Sequence, residues 1–458
     1  MTPQLATQVL VEQPQAAPVR EPSRERPTEV RAEQAVVAVV GLGYVGLPSA
    51  IALRGAGARI IGIDTSAERL SQIRAGAAEL LAQEQEDLQR YLEEQGGFSL
   101  TASAEALEAA DLVMICVPTP VDECRRPDAR VLRRACASVV AHACKGQTIV
   151  LTSTTYVGST RELLVEPLAA RGLRAGEDVF VAFAPERIDP GVAEHSQRET
   201  ARVIGAVSES CFRRASEVLR HTCERLHRVS SPEAAEMVKL YENTFRAVNI
   251  ALAFEMAEAC RAHGLDPREV TEGAASKPYG FLAHHPSAGV GGHCIGVDPH
   301  YLLAPLRESG RPATVAEEAM RKLAGRPRHV VWRAHEMLVE DGRAIAQARV
   351  LVVGVSYKPG VADCREAPAL EIMRRLRAEG TRVDYHDPLV ASIELDGELL
   401  VGVDPDPRRD RSGFGPEDYD LAIVVTIHPG LDYGWLARCS TVLDCTYRTQ
   451  GGRRREVL

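Results

Sequence analysis

The sequence lacks several features that would place it in whole classes of protein. No apolar run approaches the ~18 residues that a membrane-spanning helix needs, and the polar N-terminus lacks the apolar segment of a signal peptide. The eleven cysteines contain no Cys-x-x-Cys pair, so we expect no disulfide framework, zinc site or other metal. The net charge of −9 argues against nucleic acid as a partner. These absences predict a cytoplasmic protein with reduced thiols and no membrane association.

Lysine is also scarce, with five among the 54 basic residues. A lysine that persists against this bias either marks a position that arginine would not suit, or has survived by chance. Both readings stay open for each of the five: Lys145, Lys239, Lys277, Lys322 and Lys358.

The chain is too long for one hydrophobic core, since 458 residues correspond to two or three domains. After a polar stretch predicted to be disordered, apolar β-branched runs alternate with helical segments, which predicts a doubly wound parallel sheet. The runs are 35–40, 58–63, 111–117, 148–152 and 179–183. An α/β pattern returns after position 348, with 349–354 resembling the opening strand.

One helix is predicted to be unusually long. Ser231 can cap it, Pro232 suits its first turn, and nothing interrupts it before Gly264. Roughly 31 residues at ~1.5 Å each would span about 46 Å. We therefore predict two Rossmann-like, doubly wound α/β domains joined by a helical middle domain with this helix as its spine. The helix is also a predicted interface of a homodimer or higher homo-oligomer. The predicted divisions are 1–34 (disordered tail), 35–228, 229–328 and 329–458.

A dinucleotide-binding pattern follows the first strand. Gly41, Gly43 and Gly46 form Gly-x-Gly-x-x-Gly between a strand and a helix, where the helix N-terminus would face a pyrophosphate. Asp64 ends the second strand, where a carboxylate can hold a ribose diol and would repel a 2′-phosphate. The pattern predicts NAD rather than NADP, although FAD proteins share the fingerprint and a glycine turn can lack a ligand.

A second glycine-rich segment, Gly291 to Pro299, carries Cys294 and, four residues later, Asp298. Glycines beside a thiol would let a bulky substrate reach the sulfur, whereas a cysteine is more commonly a small buried hydrophobe. His293 adjoins the thiol, but neighbouring side chains generally diverge, so a Cys–His dyad is not favoured.

Polar residues on the long helix and at strand ends complete the candidate set. Lys239 and Asn243 are spaced i,i+4 and share a face that could bind an oxyanion or a water; a solvated lysine is the alternative. Thr154 and the Glu186-Arg187 pair follow predicted strands, where ligand crevices form in such sheets. Either segment could instead be an ordinary polar loop.

Taken together, these motifs resemble the UDP-glucose/GDP-mannose dehydrogenase family from about Val36 to Arg448. The matching segments are 41–48 (Gly-Leu-Gly-Tyr-Val-Gly-Leu-Pro), 117–120 (Val-Pro-Thr-Pro), 185–187 (Pro-Glu-Arg), Lys239 with Asn243, 291–299 and 354–368. The order of the motifs along the chain makes the resemblance specific.

The resemblance implies a four-electron oxidation of a UDP-sugar at C6 with two NAD. Cys294 would capture the aldehyde as a thiohemiacetal and then hold the acid as a thioester, because a thiolate both adds to an aldehyde and leaves from an acyl group. Lys239 and Asn243 would stabilise the oxyanion, while Asp298 and Thr154 would position the water. Glu186 would assist the hydrolysis.

The resemblance also implies the binding residues. The implied cofactor contacts are Gly41, Gly43, Tyr44, Val45, Gly46, Asp64, Arg69, Pro118, Thr119, Thr154 and Arg365. The implied substrate contacts are Glu186, Arg187, Lys239, Asn243, Tyr279, Phe281, Gly291 and Lys358.

Two segments, 185–191 and 277–281, look like those of UDP-N-acetylhexosamine 6-dehydrogenases, and the second favours N-acetylglucosamine. UDP-glucose and UDP-N-acetylmannosamine are the alternatives within the class, and His300 departs from the usual aromatic residue. A short-chain epimerase would need Tyr-x-x-x-Lys, which none of the five lysines provides. A non-catalytic nucleotide-sugar-binding protein is the alternative from a different class.

Overall fold

The computed structural model describes residues 35–94, 96–187, 198–292, 294–405, 415–449 and 452–458. Within these ranges the chain divides into two compact units. The first contains 35–119 and 129–237, and the second contains 120–128 and 238–458. The predicted tail 1–34, positions 188–191 of the 185–191 segment and His293 lie outside the described residues.

The first unit is built on an eight-stranded sheet. Its strands are β1 (Val36–Val40), β2 (Arg59–Ile63), β3 (Phe98–Thr101), β4 (Leu112–Ile115), β5 (Thr148–Leu151), β6 (Phe180–Phe183), β7 (Arg202–Ala206) and β8 (Leu226–Val229). They lie in the order β3-β2-β1-β4-β5-β6-β7-β8 and pair in parallel except for β6 with β7. Every residue of β4 and β5 is buried, as continuous apolar runs covered on both faces require.

Helices accompany this sheet along the chain. They are α1 (Gly46–Gly55), α2 (Ala67–Arg74), α3 (Ala82–Glu93), α4 (Arg130–His142), α5 (Glu166–Ala170) and α6 (Glu209–Leu219), with a π turn at Arg161–Val165 and a 3-10 turn at Ala104–Ala109. The order β3-β2-β1-β4 places the switch in strand order between β1 and β4. Ligands of doubly wound sheets bind at this position, beyond the carboxyl ends of the strands.

Helix α7 (Pro232–Ala262) has the predicted length of 31 residues. It starts in the first unit and continues in the second. The helices that follow are α8 (Pro267–Ala275), α9 (Asp298–Glu308) and α10 (Thr314–Glu340). No described helix has both the length and the apolar character that crossing a membrane requires.

The second unit ends in a smaller, five-stranded parallel sheet. Its elements are β9 (Arg349–Val353), α11 (Pro368–Ala378), β10 (Arg382–His386), β13 (Leu421–Val424), β14 (Thr441–Asp444) and β15 (Arg454–Val457), with a hairpin of β11 (Ser392–Leu395) and β12 (Glu398–Val401). The sheet order is β10-β9-β13-β14-β15. The described part of this unit also contains 3-10 turns at Ile345–Gln347, Pro416–Asp418 and Gly434–Arg438. The predicted fold class, two parallel α/β sheets with a helical region between them in sequence, is confirmed.

Candidate active site

The glycine loop after β1 has the geometry that a pyrophosphate needs. Gly41 has φ +89°, and a Cβ there would lie 2.7 Å from the carbonyl oxygen of Cys116. A Cβ on Gly46 would lie 1.9 Å from the carbonyl oxygen of Gly41, so the start of α1 packs directly on the loop. At Gly43, in contrast, no described atom lies within 4 Å of the Cβ position. Of the three glycines, Gly43 therefore leaves the open space that the motif requires for a pyrophosphate to approach the protein backbone.

Asp64 has a structural role in addition to the predicted ribose contact. Its Oδ2 accepts a hydrogen bond from the amide of Leu42 at 2.9 Å, and Oδ1 accepts one from Ser66. Arg69 Nε donates to the carbonyl oxygen of Leu42 at 2.9 Å, and its Nη1 pairs with Glu79. Thus Asp64 and Arg69 both hold the glycine loop from the end of β2. Since Asp64 is partly exposed, its remaining lone pairs can serve a ligand.

The other predicted cofactor residues of the first unit lie at the same sheet edge. Tyr44 and Val45 are the partly exposed residues between Gly43 and α1. Pro118 and Thr119 follow β4, which pairs with β1 in parallel, so the loops after these two strands adjoin. The Cα of Val117 lies 3.1 Å from the Cβ position of Gly41.

Thr154 lies in the loop after β5, and a buried carboxylate anchors the end of this loop. Glu236, fully buried on α7, accepts hydrogen bonds from the amides of Gly158 and Thr160 and from the hydroxyls of Ser159 and Thr160, at 2.6 to 2.9 Å. Sequence analysis missed Glu236 because a glutamate on a helix is usually solvated. The sequence did indicate its role in one way: Glu236 lies three residues before Lys239 and therefore near the same face of the helix.

Glu186 has a buried cationic neighbour that was also missed. Its Oε2 lies 3.6 Å from Nη1 of Arg202, with side chains 10% and 3% exposed, and its Oε1 accepts from the amide of Arg187. Arg202 also donates to the carbonyl oxygen of Ala184 at 3.1 Å, and Arg187 donates through Nη1 to the carbonyl oxygen of Ala201. The sequence indicated a buried cation in one way: Arg202 is a charged residue at the start of β7, which is otherwise apolar.

The predicted nucleophile lies in the second unit, in the turn that leads into α9. Cys294 is exposed, and its carbonyl oxygen accepts from the amide of Asp298 at 2.8 Å. Asp298 opens α9 and is 4% exposed. Its Oδ2 accepts a hydrogen bond from Nδ2 of Asn243, which is also 4% exposed, at 2.5 Å. The structure thus brings together a residue of α7 and a residue of the segment 291–299, which we call the cysteine loop. The two residues are 55 positions apart in the sequence. Lys239, one turn before Asn243 on α7, is partly buried.

Two glycines of the cysteine loop, Gly291 and Gly292, lie closely against another segment of the chain. A Cβ on Gly291 would lie 2.8 Å from both the carbonyl oxygen of Glu366 and the Cβ of Tyr357. Gly292 has φ +75°, and a Cβ there would lie 3.0 Å from the Tyr357 ring. At Gly291 and Gly292 the expectation of a path to the sulfur needs correction, because the space that they leave is used by the 356–366 segment. At Gly296, in contrast, the nearest described atom to the Cβ position is the carbonyl oxygen of Gly292 at 4.0 Å.

Burial distinguishes Cys294 from most of the other thiols. Desolvation raises the pKa of Cys116, Cys364 and Cys439 to about 12 in each case. A thiol of this kind is not a nucleophile at neutral pH. Cys124 is the other exposed cysteine among the described residues, and it is therefore the natural control for Cys294.

The remaining predicted substrate residues, and the predicted cofactor residue Arg365, lie on exposed segments of the second unit. Tyr279 and Phe281, which follow α8, are 72% and 45% exposed. Lys358 and Arg365 lie in the segment after β9; Lys358 lies over the Tyr357 ring at 5.9 Å, and Arg365 pairs with Asp363 at 2.7 Å.

His300 is buried on α9, where burial and then the charges of Arg125 and Arg307 lower its pKa to about 4. It is a neutral ring at neutral pH and in this respect resembles the aromatic residue it replaces.

Comparison with known proteins gives matches to three consecutive domains of one family. The NAD binding domain of the UDP-glucose/GDP-mannose dehydrogenase family matches residues 35–223, its central domain 233–322 and its UDP binding domain 351–446. The chain belongs to this family. It is therefore an NAD-dependent UDP-sugar 6-dehydrogenase, and the glycine loop after β1 lies in the matched NAD binding domain.

Similar dehydrogenases carry two different substrate names. The UDP-N-acetyl-D-mannosamine dehydrogenase of Pyrococcus horikoshii is 32% identical over 395 residues, covering 86% of this chain and 89% of that protein. The UDP-N-acetyl-D-glucosamine 6-dehydrogenase of Pseudomonas aeruginosa is 33% identical, covering 78% of this chain and 83% of that protein. The solved UDP-D-ManNAc dehydrogenase of P. horikoshii superposes with a TM-score of 0.82 at 30% identity, over 92% of this chain and 98% of that one.

Proposed function

We propose that this dehydrogenase oxidises the C6 primary alcohol of UDP-N-acetylglucosamine to the carboxylate, with Cys294 as the covalent nucleophile. The observation that carries the chemistry is the exposed Cys294 thiol in the turn into α9, whose first residue, Asp298, is hydrogen-bonded to Asn243. Glycines at 291 and 292 leave room for the 356–366 segment, which packs beside this turn.

The chemistry that NAD supplies is acceptance of hydride. Loss of a hydride from C6 and of a proton from its hydroxyl gives an aldehyde. The thiolate of Cys294 adds to the aldehyde carbon while the oxygen takes up a proton, which forms a thiohemiacetal. Loss of a second hydride from C6 and of the hydroxyl proton leaves a thioester. Water then attacks the acyl carbon, the carbon–sulfur bond breaks, and thiolate and carboxylate separate. The balance is one alcohol and one water converted to one carboxylate, with two hydrides accepted and three protons released.

Asn243 is suited to hold the oxygen at C6. A side-chain amide has two N–H donors, and one of those on Asn243 is used by Asp298. This bond orients the amide and leaves the second donor for an oxyanion, together with the ammonium of Lys239. Asp298 is a buried acceptor suited to orient the attacking water. We assign positioning of the water also to Thr154 and assistance in the hydrolysis to Glu186, as the resemblance implies.

We expect UDP-N-acetylglucosamine to be oxidised with a higher kcat/KM than UDP-glucose, by roughly 10- to 100-fold. The reason is that a site shaped for an acetamido group leaves polar groups unpaired when glucose binds, at a cost of about 1–3 kcal/mol for each buried group. The test is a competition assay with UDP-N-acetylglucosamine, UDP-N-acetylmannosamine and UDP-glucose. NADH formation gives the total rate, and the acid products identified by mass spectrometry give the relative kcat/KM of the three sugars. Equal or faster oxidation of UDP-glucose would refute the acetamido preference, and preference for UDP-N-acetylmannosamine would move the assignment to that sugar.

We also propose that two copies of the chain associate through α7. Large apolar residues on this helix recur every four or seven positions and are 42% to 67% exposed: Met237, Tyr241, Phe245, Leu252 and Met256. A continuous apolar stripe of this kind is typical of an interface.

Tyr241→Glu should therefore convert an assembled protein to monomers in light scattering at micromolar concentration, because it buries a charge in the contact. Leu399→Glu is the matched control, since Leu399 on β12 is 69% exposed and should leave the mass unchanged. A Tyr241→Glu protein that keeps the wild-type mass would exclude α7 as the contact.

A further inference from the structure

A buried histidine–carboxylate pair lies at the edge of the second sheet. Asp387 follows β10 and His428 follows β13, the two strands that flank β9. His428 Nε2 lies 3.1 Å from Asp387 Oδ1, with side chains 1% and 0% exposed. Asp387 Oδ2 accepts from the amides of Val355 and Ser356 and from the Ser356 hydroxyl at 2.8 to 3.0 Å. Burial opposes ionisation, but the hydrogen bonds from His428 and from the amides of Leu389 and Ser356 lower the pKa of Asp387 to about 2.

The second nitrogen of His428 connects this pair to an exposed loop. The amide of Gly360 donates to His428 Nδ1 at 3.0 Å. Since Nδ1 accepts, the proton of the neutral ring is on Nε2 and is donated to Asp387. Gly360 itself is exposed and has φ +78°. The tip of the loop is therefore tied through one imidazole to a carboxylate in the core.

The loop in question, 356–366, carries Lys358 and touches the cysteine loop. The amide of Gly292 donates to the carbonyl oxygen of Arg365 at 3.3 Å, and Tyr357 occupies the space beside Gly291 and Gly292. A shift of this loop would move Lys358 and release the contact with the segment that carries the nucleophile.

The first sheet offers an internal comparison. Asp64 ends β2 as Asp387 ends β10, and each carboxylate accepts an amide from the loop after the neighbouring strand. Asp64 is partly exposed, whereas the side chain of Asp387 is sealed and paired with His428. Asp387 thus occupies the position in the second sheet that corresponds to the ribose-binding position of a dinucleotide site. Here the carboxylate holds a loop.

We propose that His428 and Asp387 are positioning residues that hold the 356–366 loop for binding of the UDP group. The proposal rests on the proposed function in one respect, the contact of Lys358 with the UDP-sugar. Asp387 fixes the ring, the ring fixes Gly360, and the fixed loop presents Lys358.

The test is the affinity for UDP and, separately, for NAD, measured by calorimetry on the full chain. His428→Leu removes both hydrogen bonds, whereas His428→Asn keeps an acceptor close to the position of Nδ1. Because the hydrogen bond to the Gly360 amide is the one that holds the loop, its loss predicts about a tenfold higher Kd for UDP in His428→Leu. We expect a Kd for UDP near the wild-type value in His428→Asn, and an unchanged Kd for NAD in both variants.

UDP binding by a folded His428→Leu protein at wild-type affinity would overturn the proposal. So would an equal loss of UDP and NAD affinity, which indicates general damage, or an Asn variant as weak as the Leu variant. If His428→Leu does not fold, His428→Gln replaces it, because glutamine keeps a donor near the position of Nε2 but no acceptor near that of Nδ1. Tighter UDP binding by His428→Asn than by His428→Gln supports the proposal. Equal binding, or tighter binding by His428→Gln, refutes it. In the wild-type background, Lys358→Ala with an unchanged Kd for UDP would instead refute the proposed contact of Lys358 with the UDP group, whatever the His428 variants show.

Discussion

Cys294→Ser is expected to abolish formation of the uronic acid. A serine hydroxyl has a much higher pKa than a thiol and is a poor nucleophile unless a base activates it. We expect acid formation to fall by on the order of 10⁴-fold or more, since loss of a covalent nucleophile costs up to about 10⁶-fold elsewhere. The measurement is acid product by mass spectrometry, with intact-protein mass to detect an acyl group on the wild-type enzyme.

Cys124→Ser provides the matched control for that experiment. Cys124 and Cys294 are both exposed, and Cys124 lies outside the cysteine loop. The control should retain near-native turnover and show that exposure of a thiol alone is not sufficient. Acid produced by Cys294→Ser at a near-native rate would mean that the reaction does not pass through a thioester.

The elements that dominate this fold follow from short-range patterns. Proline at the first turn and glycine after the end delimit α7, and its predicted length of roughly 31 residues agrees with the 31 observed. The strand from Val36 and the strand from Arg349 are valine-rich runs stopped by glycine. Strand β7 escaped prediction because it opens with an arginine, and only the tertiary structure shows that Arg202 is buried beside Glu186.

The composition of the candidate site was predictable, but its internal contacts were not. Residue types and order along the chain indicated Cys294, Asn243 and Asp298, yet no spacing rule relates positions 55 apart on a helix and a loop. The same limit applies to Glu236, whose hydrogen bonds reach 76 to 78 positions back along the chain. Long-range partners depend on how elements pack, and one sequence carries no direct signal of that.

The contact between Asn243 and Asp298 leads to the second prediction with a large expected effect. Asn243→Asp replaces the donor of this buried bond by a second carboxyl with nearly the same shape. Two carboxylates so close cannot both be ionised, so one proton is shared and the donor for the C6 oxygen is lost. Turnover should fall by about 10²- to 10³-fold, the cost of removing one oxyanion donor.

The shared proton also gives the variant a characteristic dependence of stability on pH. Ordinary carboxyl groups have a pKa of about 4. Above that pH, the folded variant binds one proton more than the unfolded chain. By linkage its free energy of unfolding then decreases as pH rises, with a slope of up to about 1.4 kcal/mol per pH unit. Urea unfolding of variant and wild type from pH 5 to 8 should show a difference that widens with pH.

Exchange of the two residues separates the effect on stability from the effect on catalysis. In Asn243→Asp/Asp298→Asn the amide again faces a carboxylate, so the free energy of unfolding should recover and the additional pH dependence should disappear. Turnover should remain low, because the carboxylate and the amide have exchanged places relative to the Cys294 sulfur. If the pH dependence of Asn243→Asp matched that of the wild type, or if the double variant were no more stable than the single one, the two side chains would not be in contact. Asn243 would then have to reach the C6 oxygen without Asp298 to orient it.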